Sequence, residues 1–350
     1  MINCNTNNRI DFIDLTKGLC IILVVMGHVG GVFAVLDYHN MISAFRMPLY
    51  FFISGIFFKS YEGLNGFLLR KVNRLLIPFL FFFFLSFAAM FVIGRLIPHA
   101  FNIPLQLKDL FVVFVGHDLI RSDPPIWFFL ALFNCSIIFY LVHYLKEKHL
   151  MLMFAIIIFI GALGFYLGKA QIVLPCYLDV SMTVLPFYAL GFWIRRYNFF
   201  ISPHHRFDRI IPLYVFLTMI ILYFTATKLG MRCNSSSGNI FQFYIAGMAG
   251  ILAILLICKK IKYLHTVSYI GRYSIITLGL HGSLLHFIYP LVTNIIPYQS
   301  IRDVLVFVFV ILLCLFFTPL MLKYFPQFVA YKDFFEVPLS NNRLRINHNS

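Results

Sequence analysis

Apolar runs of roughly twenty residues alternate with short polar loops along almost the whole chain. A run of that length matches a helix crossing a bilayer. Ten such runs fall at 12–36, 41–58, 74–97, 125–145, 150–168, 177–195, 209–228, 239–258, 270–292 and 302–323. The second is short, and FLFFFFLSF in the third reads as lipid-facing. The pattern predicts an all-α fold, a polytopic membrane helical bundle of about ten transmembrane helices. A single integral-membrane domain is expected over 1–330. A polar cytoplasmic tail is expected over 331–350, with its end SNNRLRINHNS mobile. No internal repeat or long linker marks a second domain. The first run is too long for a signal-peptide core and lacks a cleavage pattern, so it reads as a retained span.

Composition agrees with this picture. The chain has 350 residues, of which 61% are hydrophobic and only 12% charged, against about 25% charged in soluble domains. The formal net charge is +15. In a soluble protein that would point to nucleic acid. Here the cations sit in short loops: KSYEGLNGFLLRKVNR, KEKH, RRYNFFISPHHRFDR and KKIKYLH. The alternate loops, such as DYHN and CNSSSGN, are poor in Lys and Arg, while the long one after the third run is mixed in charge. This is the positive-inside pattern, and it places both termini in the cytoplasm. A nucleic-acid partner is therefore not expected; membrane lipid is. The seven cysteines lack metal-ligand or CxxC spacing, so neither a disulfide nor a metal site is expected.

Ionisable residues inside such runs are costly and are functional suspects. The first run carries Asp14, Lys17 and His28. Eleven residues make about three helical turns and a rise of about 16 Å, so Lys17 and His28 point the same way; Asp14 shares that side. A cation at the cytoplasmic mouth and a deep imidazole suit a long ligand with an anionic head, which is the shape of acyl-coenzyme A. His28 would then act as a general base at the thioester. The same residues also fit a snorkelling lysine and a histidine that bonds neighbouring helices.

Other residues extend the set. Arg46 lies at the outer end of the second run, by topology near His28; a lipid-headgroup contact is its plainer reading. Arg70, Lys71 and Arg74 form a basic cluster at the start of the third run, either a phosphate grip or only a positive-inside cluster. Trp127 stands where membrane proteins ordinarily place Trp, and where an aromatic also stacks on a sugar ring. Ser274 and His281, seven apart, share a face of the ninth run, and His281 is the second deep histidine.

In this order the segments IDFIDLTKGLCIILVVMGH, FRMPLYFFISG, RKVNRLLIPF, IWFFLALF and SIITLGLH resemble the acyltransferase family 3 membrane proteins, which O-acylate cell-surface carbohydrates. Within that family they look most like the fucose 4-O-acetylase-like branch. The resemblance spans about Ile10 to His281. It implies an inner (cytoplasmic) membrane acyltransferase. Acetyl-CoA would be the donor, bound by Lys17, Arg70, Lys71 and Arg74. The acceptor would be a carbohydrate such as O-antigen, capsule or exopolysaccharide, with Asp14, Trp127 and Ser274 as candidate substrate contacts. The family's basic-residue, ten-residue gap, histidine motif falls on Lys17 and His28. One departure matters: Arg46 stands where relatives carry a histidine. Arginine accepts no proton at neutral pH, so Arg46 would stabilise an oxyanion or bind an acidic sugar, with His281 as a second stabilising group. No SGNH-type hydrolase-like domain is expected, so transfer would be direct from the membrane site or through another protein.

Two other classes compete. A transporter or flippase of a lipid-linked glycan fits ten spans, but the thirteen acidic residues lie mostly in loops, tails or span ends, where they make poor ion couplers. A non-catalytic scaffold needs no aligned polar face through the bilayer.

Overall fold

The computed structural model describes residues 11–60, 63–96, 124–147, 149–196 and 205–336. Expectations for the first ten residues, the long loop after the third run and the segment SNNRLRINHNS lie outside them. The described chain is helical apart from one short hairpin, β1 (Leu229–Gly230) paired with β2 (Ser235–Ser236). The helices are α1 (Asp11–Val29), α2 (Val32–Leu36), α3 (Met41–Ile56), α4 (Gly63–Lys71), α5 (Ile77–Leu96), α6 (Trp127–His143), α7 (Leu150–Lys169), α8 (Leu178–Arg196), α9 (His205–Thr225), α10 (Ile240–Ile261), α11 (His265–Arg272), α12 (Ser274–Ile295) and α13 (Gln299–Tyr324).

Seven helices in the described residues are long and apolar enough to cross a membrane: α1, the continuous α4–α5 unit, α7, α8, α10, α12 and α13. The apolar stretches of α3, α6 and α9 are shorter. At about 1.5 Å per residue, the 17 residues of α6 fall a little short of the roughly 30 Å hydrocarbon core; flanking turns Pro124–Ile126 and Tyr144–Glu147 lengthen it. All ten helices overlie the ten apolar runs. Helices are the expected form because in lipid every backbone N–H and C=O must be satisfied within the segment.

Helix α1 sits at the centre, packed against α3, α10, α11, α12 and α13. Its Leu15, Cys20, Ile21 and Val25 are fully buried. Helices α9 and α13 lie outside and present Phe216, Phe224, Phe309 and Phe316 outward, as a surface facing acyl chains does.

The structure departs from the sequence pattern in five places. The first run, read as one span over 12–36, breaks at Gly30 and Gly31, both at positive φ, and restarts as α2. The segment KSYEGLNGFLLRKVNR, read as a loop, is mostly helix, because its Phe67 buries completely and no proline interrupts it. Pro78 comes only later; it lacks an N–H and its ring crowds the carbonyl four residues back. The backbone answers with a π-helical turn over Val72–Leu76, in which Ile77 N–H donates to Val72 O. The run 270–292 is divided at Tyr273 between α11 and α12. The FLFFFFLSF stretch is not uniformly lipid-facing: Phe79, Phe82 and Phe83 are buried while Leu80 and Phe84 point outward, as a helix with two environments requires.

The fifth departure concerns the tail. Its first residues dock on the π turn instead of leaving the bundle. Asn73, fully buried, donates from Nδ2 to Phe335 O at 2.7 Å and accepts at Oδ1 from Phe334 N–H (3.2 Å) and Phe335 N–H (2.9 Å). Asp333 pairs with Arg74 at 3.0 Å. The polarity of these residues predicted solvent; an amide placed to meet three backbone groups outweighs it. Replacing Asn73 by alanine should free the segment, and trypsin should cut the purified full chain after Lys332 several-fold faster. An unchanged cleavage rate would contradict this docking.

Candidate active site

Helix α1 carries the site along its length. Near its start Asp14 is largely buried and lies 3.7 Å from Arg272 of α11. Its backbone carbonyl packs against Gly271, where any side chain would collide. Asp14 therefore fastens α11 to α1. One turn on, the Lys17 ammonium stands 4.8 Å from the centre of the Phe57 ring, just past the end of α3, a cation–π contact. The Lys17 carbonyl accepts from Tyr50 Oη at 3.1 Å, and Ser274 lies against that same hydroxyl. Lys17, Tyr50 and Ser274 thus join α1, α3 and α12 at one level of the bundle.

At the opposite end of α1 the histidines meet. The rings of His28 and His281 are 5.3 Å apart, centre to centre, tilted by 53°. His28 keeps accessible surface, whereas His281 is fully buried. The Nδ1 of His281 lies 2.8 Å from the Thr277 carbonyl one turn back. A carbonyl only accepts, so Nδ1 carries the hydrogen and neutral His281 has its lone pair on Nε2. That Nε2 is buried and meets no hydrogen-bond partner among the described residues. In this tautomer His281 accepts a proton or an N–H, the reverse of the oxyanion donor expected of it.

Arg46 approaches the same end from α3. Its guanidinium fills the space that Gly27 leaves by having no side chain, one residue before His28, and reaches the Leu23 carbonyl at 3.5 Å. The Cys20 thiol donates to the Arg46 carbonyl at 2.8 Å. The start of α3 is fixed by Asp37, whose carboxylate accepts from Ile42 N–H (2.7 Å) and Ser43 N–H (3.1 Å). Thus α1, α3 and α12 bring His28, Arg46 and His281 together; the packing of the first two runs had pointed only to Arg46 near His28.

The remaining predicted residues lie elsewhere. Lys71 stands 5.3 Å from the centre of the Phe67 ring, and Arg70 is the next residue back in α4, half-buried. Arg74 donates to the Ala330 carbonyl and pairs with Asp333, so its charge meets the chain's own C-terminal segment. Trp127 is 4% exposed, packed on Tyr177 at 5.7 Å, with little face left for a sugar. Two residues that the sequence reading passed over lie at the same end of α1, beside the turn that follows it: Asp303, fully buried in α13 one turn in from its start, and Tyr289 of α12, which donates to it at 3.1 Å. The signal was available, because 303 is an acid inside the tenth apolar run.

The sequence profile of the acyltransferase domain matches residues 10–323. No curated protein and no solved structure matches the chain. The profile covers nine-tenths of the sequence, from before the first helix to the last turn of α13, and with it the whole histidine site. It decides for an enzyme over a transporter or a scaffold: the chain belongs to the acyltransferase 3 family of multi-pass membrane acyltransferases.

Proposed function

We propose that this membrane acyltransferase moves an acetyl group from acetyl-CoA to a hydroxyl of a cell-surface polysaccharide or lipid-linked sugar. Ten spans with both termini in the cytoplasm, as the loop charges require, put Lys17 at the cytoplasmic side of an inner membrane and His28 in its outer half. The donor's phosphates sit near Lys17, Arg70 and Lys71 add positive charge on the same cytoplasmic face, and the donor's arm carries the thioester along α1. The acceptor arrives at the open side of His28. The fucose 4-O-acetylase-like branch suits this pairing of donor and sugar.

One observation carries the reading. His28, eleven residues from Lys17 on one continuous helix, faces a histidine whose lone pair has no partner among the described residues. A small rotation of the His28 ring places one of its N–H groups on His281 Nε2. That contact fixes the tautomer and leaves the other nitrogen of His28 bare towards the acceptor hydroxyl. His28 takes the hydroxyl proton as the oxygen bonds to the thioester carbonyl carbon. Arg46, next to His28, stabilises the negative charge that grows on the carbonyl oxygen. The carbon–sulfur bond then breaks, and the leaving thiolate takes the proton from His28.

The test uses purified protein, acetyl-CoA labelled on the acetyl group, and a crude glycan extract from the source cell. Wild type releases coenzyme A and labels glycan. His28→Ala loses about 10²–10⁴-fold, the size of a general-base contribution, at normal abundance in the membrane. His281→Ala lowers kcat by less, because it acts through His28. A His28→Ala variant that transfers normally would defeat the assignment.

The donor end makes a separate prediction. Lys17→Gln raises KM for acetyl-CoA about tenfold, as loss of one phosphate contact does, with kcat little changed. Arg74→Gln, already engaged by Asp333 and Ala330, moves KM far less. Equal effects of the two would mean that Arg74 leaves Asp333 to meet the donor.

A further inference from the structure

Asp303 is a carboxylate with no accessible surface at the His28 end of the bundle, in a position where an unpartnered charge is very costly. Its contacts are specific. Oδ2 accepts from Val32 N–H at 3.0 Å and packs directly on Gly31, leaving no room for a side chain there. Oδ1 accepts from Tyr289 Oη at 3.1 Å. Arg302 lies beside both, its Nε 3.8 Å from Oδ1 and its guanidinium 3.3 Å from Tyr289 Oη. One carboxylate thus ties the backbone just after α1 to α12 and α13, and the Phe33–Phe307 ring contact at 5.1 Å fastens the same turn.

The turn needs such a tie. Gly30 and Gly31 both adopt positive φ, and glycine at these angles gives the chain little stiffness of its own. His28 sits two residues before this pair, in the last turn of α1, where a helix ordinarily frays. His281 is on α12, the helix that Asp303 holds through Tyr289. The carboxylate therefore sets the end of α1 against the helix that carries the other ring.

We propose that Asp303 is a positioning residue for acyl transfer: by accepting from Val32 N–H and Tyr289 it holds the Gly30–Gly31 turn, and so the His28 ring, in register with His281. The proposal rests on the transfer reading given above for its kinetic consequence, but the clamp itself is measurable without turnover. Asp303 touches neither substrate nor the reacting rings. It acts as a hydrogen-bond acceptor, so asparagine, whose side-chain oxygen still accepts from Val32 N–H, replaces most of it.

Two measurements on the full chain in lipid nanodiscs decide this. In hydrogen–deuterium exchange, Asp303→Ala raises exchange in peptides covering 26–36 about tenfold while peptides of α6 stay as in wild type, and Asp303→Asn returns most of the protection. In the transfer assay, Asp303→Ala lowers kcat roughly 10–100-fold, the cost of a displacement near one ångström, leaves KM for acetyl-CoA nearly unchanged, and Asp303→Asn recovers most of kcat. Unchanged exchange in the alanine variant overturns the clamp. So does an alanine variant with wild-type kcat, or an asparagine variant as slow as alanine. Wild type inactive towards acetyl-CoA would instead overturn the transfer reading, and the exchange result would still decide the clamp.

Discussion

Between Gly27 of α1 and the Arg46 guanidinium of α3 there is no space for a side chain. That approach sets the geometry of everything around it. It places a permanent cation beside the one histidine of α1, within an apolar bundle where a cation is stable only if protein groups surround it. The Leu23 carbonyl and the neighbouring helices supply that shelter. Along the same antiparallel pair of helices Tyr50 reaches the Lys17 carbonyl and Phe57 comes under the Lys17 ammonium. A larger residue at 27 would push the Arg46 guanidinium aside, and His28 would lose its neighbouring cation.

The ends of α1 are secured in different ways, and the difference follows from what each must do. At the Lys17 end, α11 lies flat against α1 through Gly271 and the Asp14–Arg272 pair. The C-terminal segment closes on the π turn nearby through Asn73 and Arg74. Those contacts are numerous, and several involve backbone. At the His28 end the helix breaks at two glycines, and a buried carboxylate together with the Phe33–Phe307 ring contact restrains the turn. An exposed imidazole in the last turn of a helix gains access to an acceptor but loses rigidity, and a hydrogen bond to the following turn restores it without covering the ring.

Much of the fold was legible in the sequence because lipid makes one demand of every span. Apolar length alone located ten of the described helices, most of them within a few residues. What it missed are places where backbone geometry, invisible to hydropathy, took over: the Gly30–Gly31 break, the π turn ahead of Pro78, and the tail segment docked by Asn73. The site was legible to the same degree. Spacing put Lys17 and His28 on one face of α1, and antiparallel packing put Arg46 beside His28. Spacing assigned no tautomer, so the acceptor character of His281 Nε2 emerged only from the 2.8 Å contact with Thr277. Nor did it separate Arg74, spent on Asp333, from its basic neighbours.

Asp303 went unnoticed for a physical reason. In the tenth run, read as 302–323, it is the second residue, and an acid at a span end is ordinary because free N–H groups there favour negative charge. From sequence it reads as a property of its own helix. Its partners are 271 residues away at Val32 and 14 away at Tyr289, and nothing in local periodicity points to either. The same holds for His281, whose partner ring lies on the first helix of the chain. Lipid dictates where helices run and which groups must be hidden. It does not dictate which hidden groups meet. In this bundle that choice falls to a few polar side chains whose partners lie across the fold, and the geometry at His28 is their joint product.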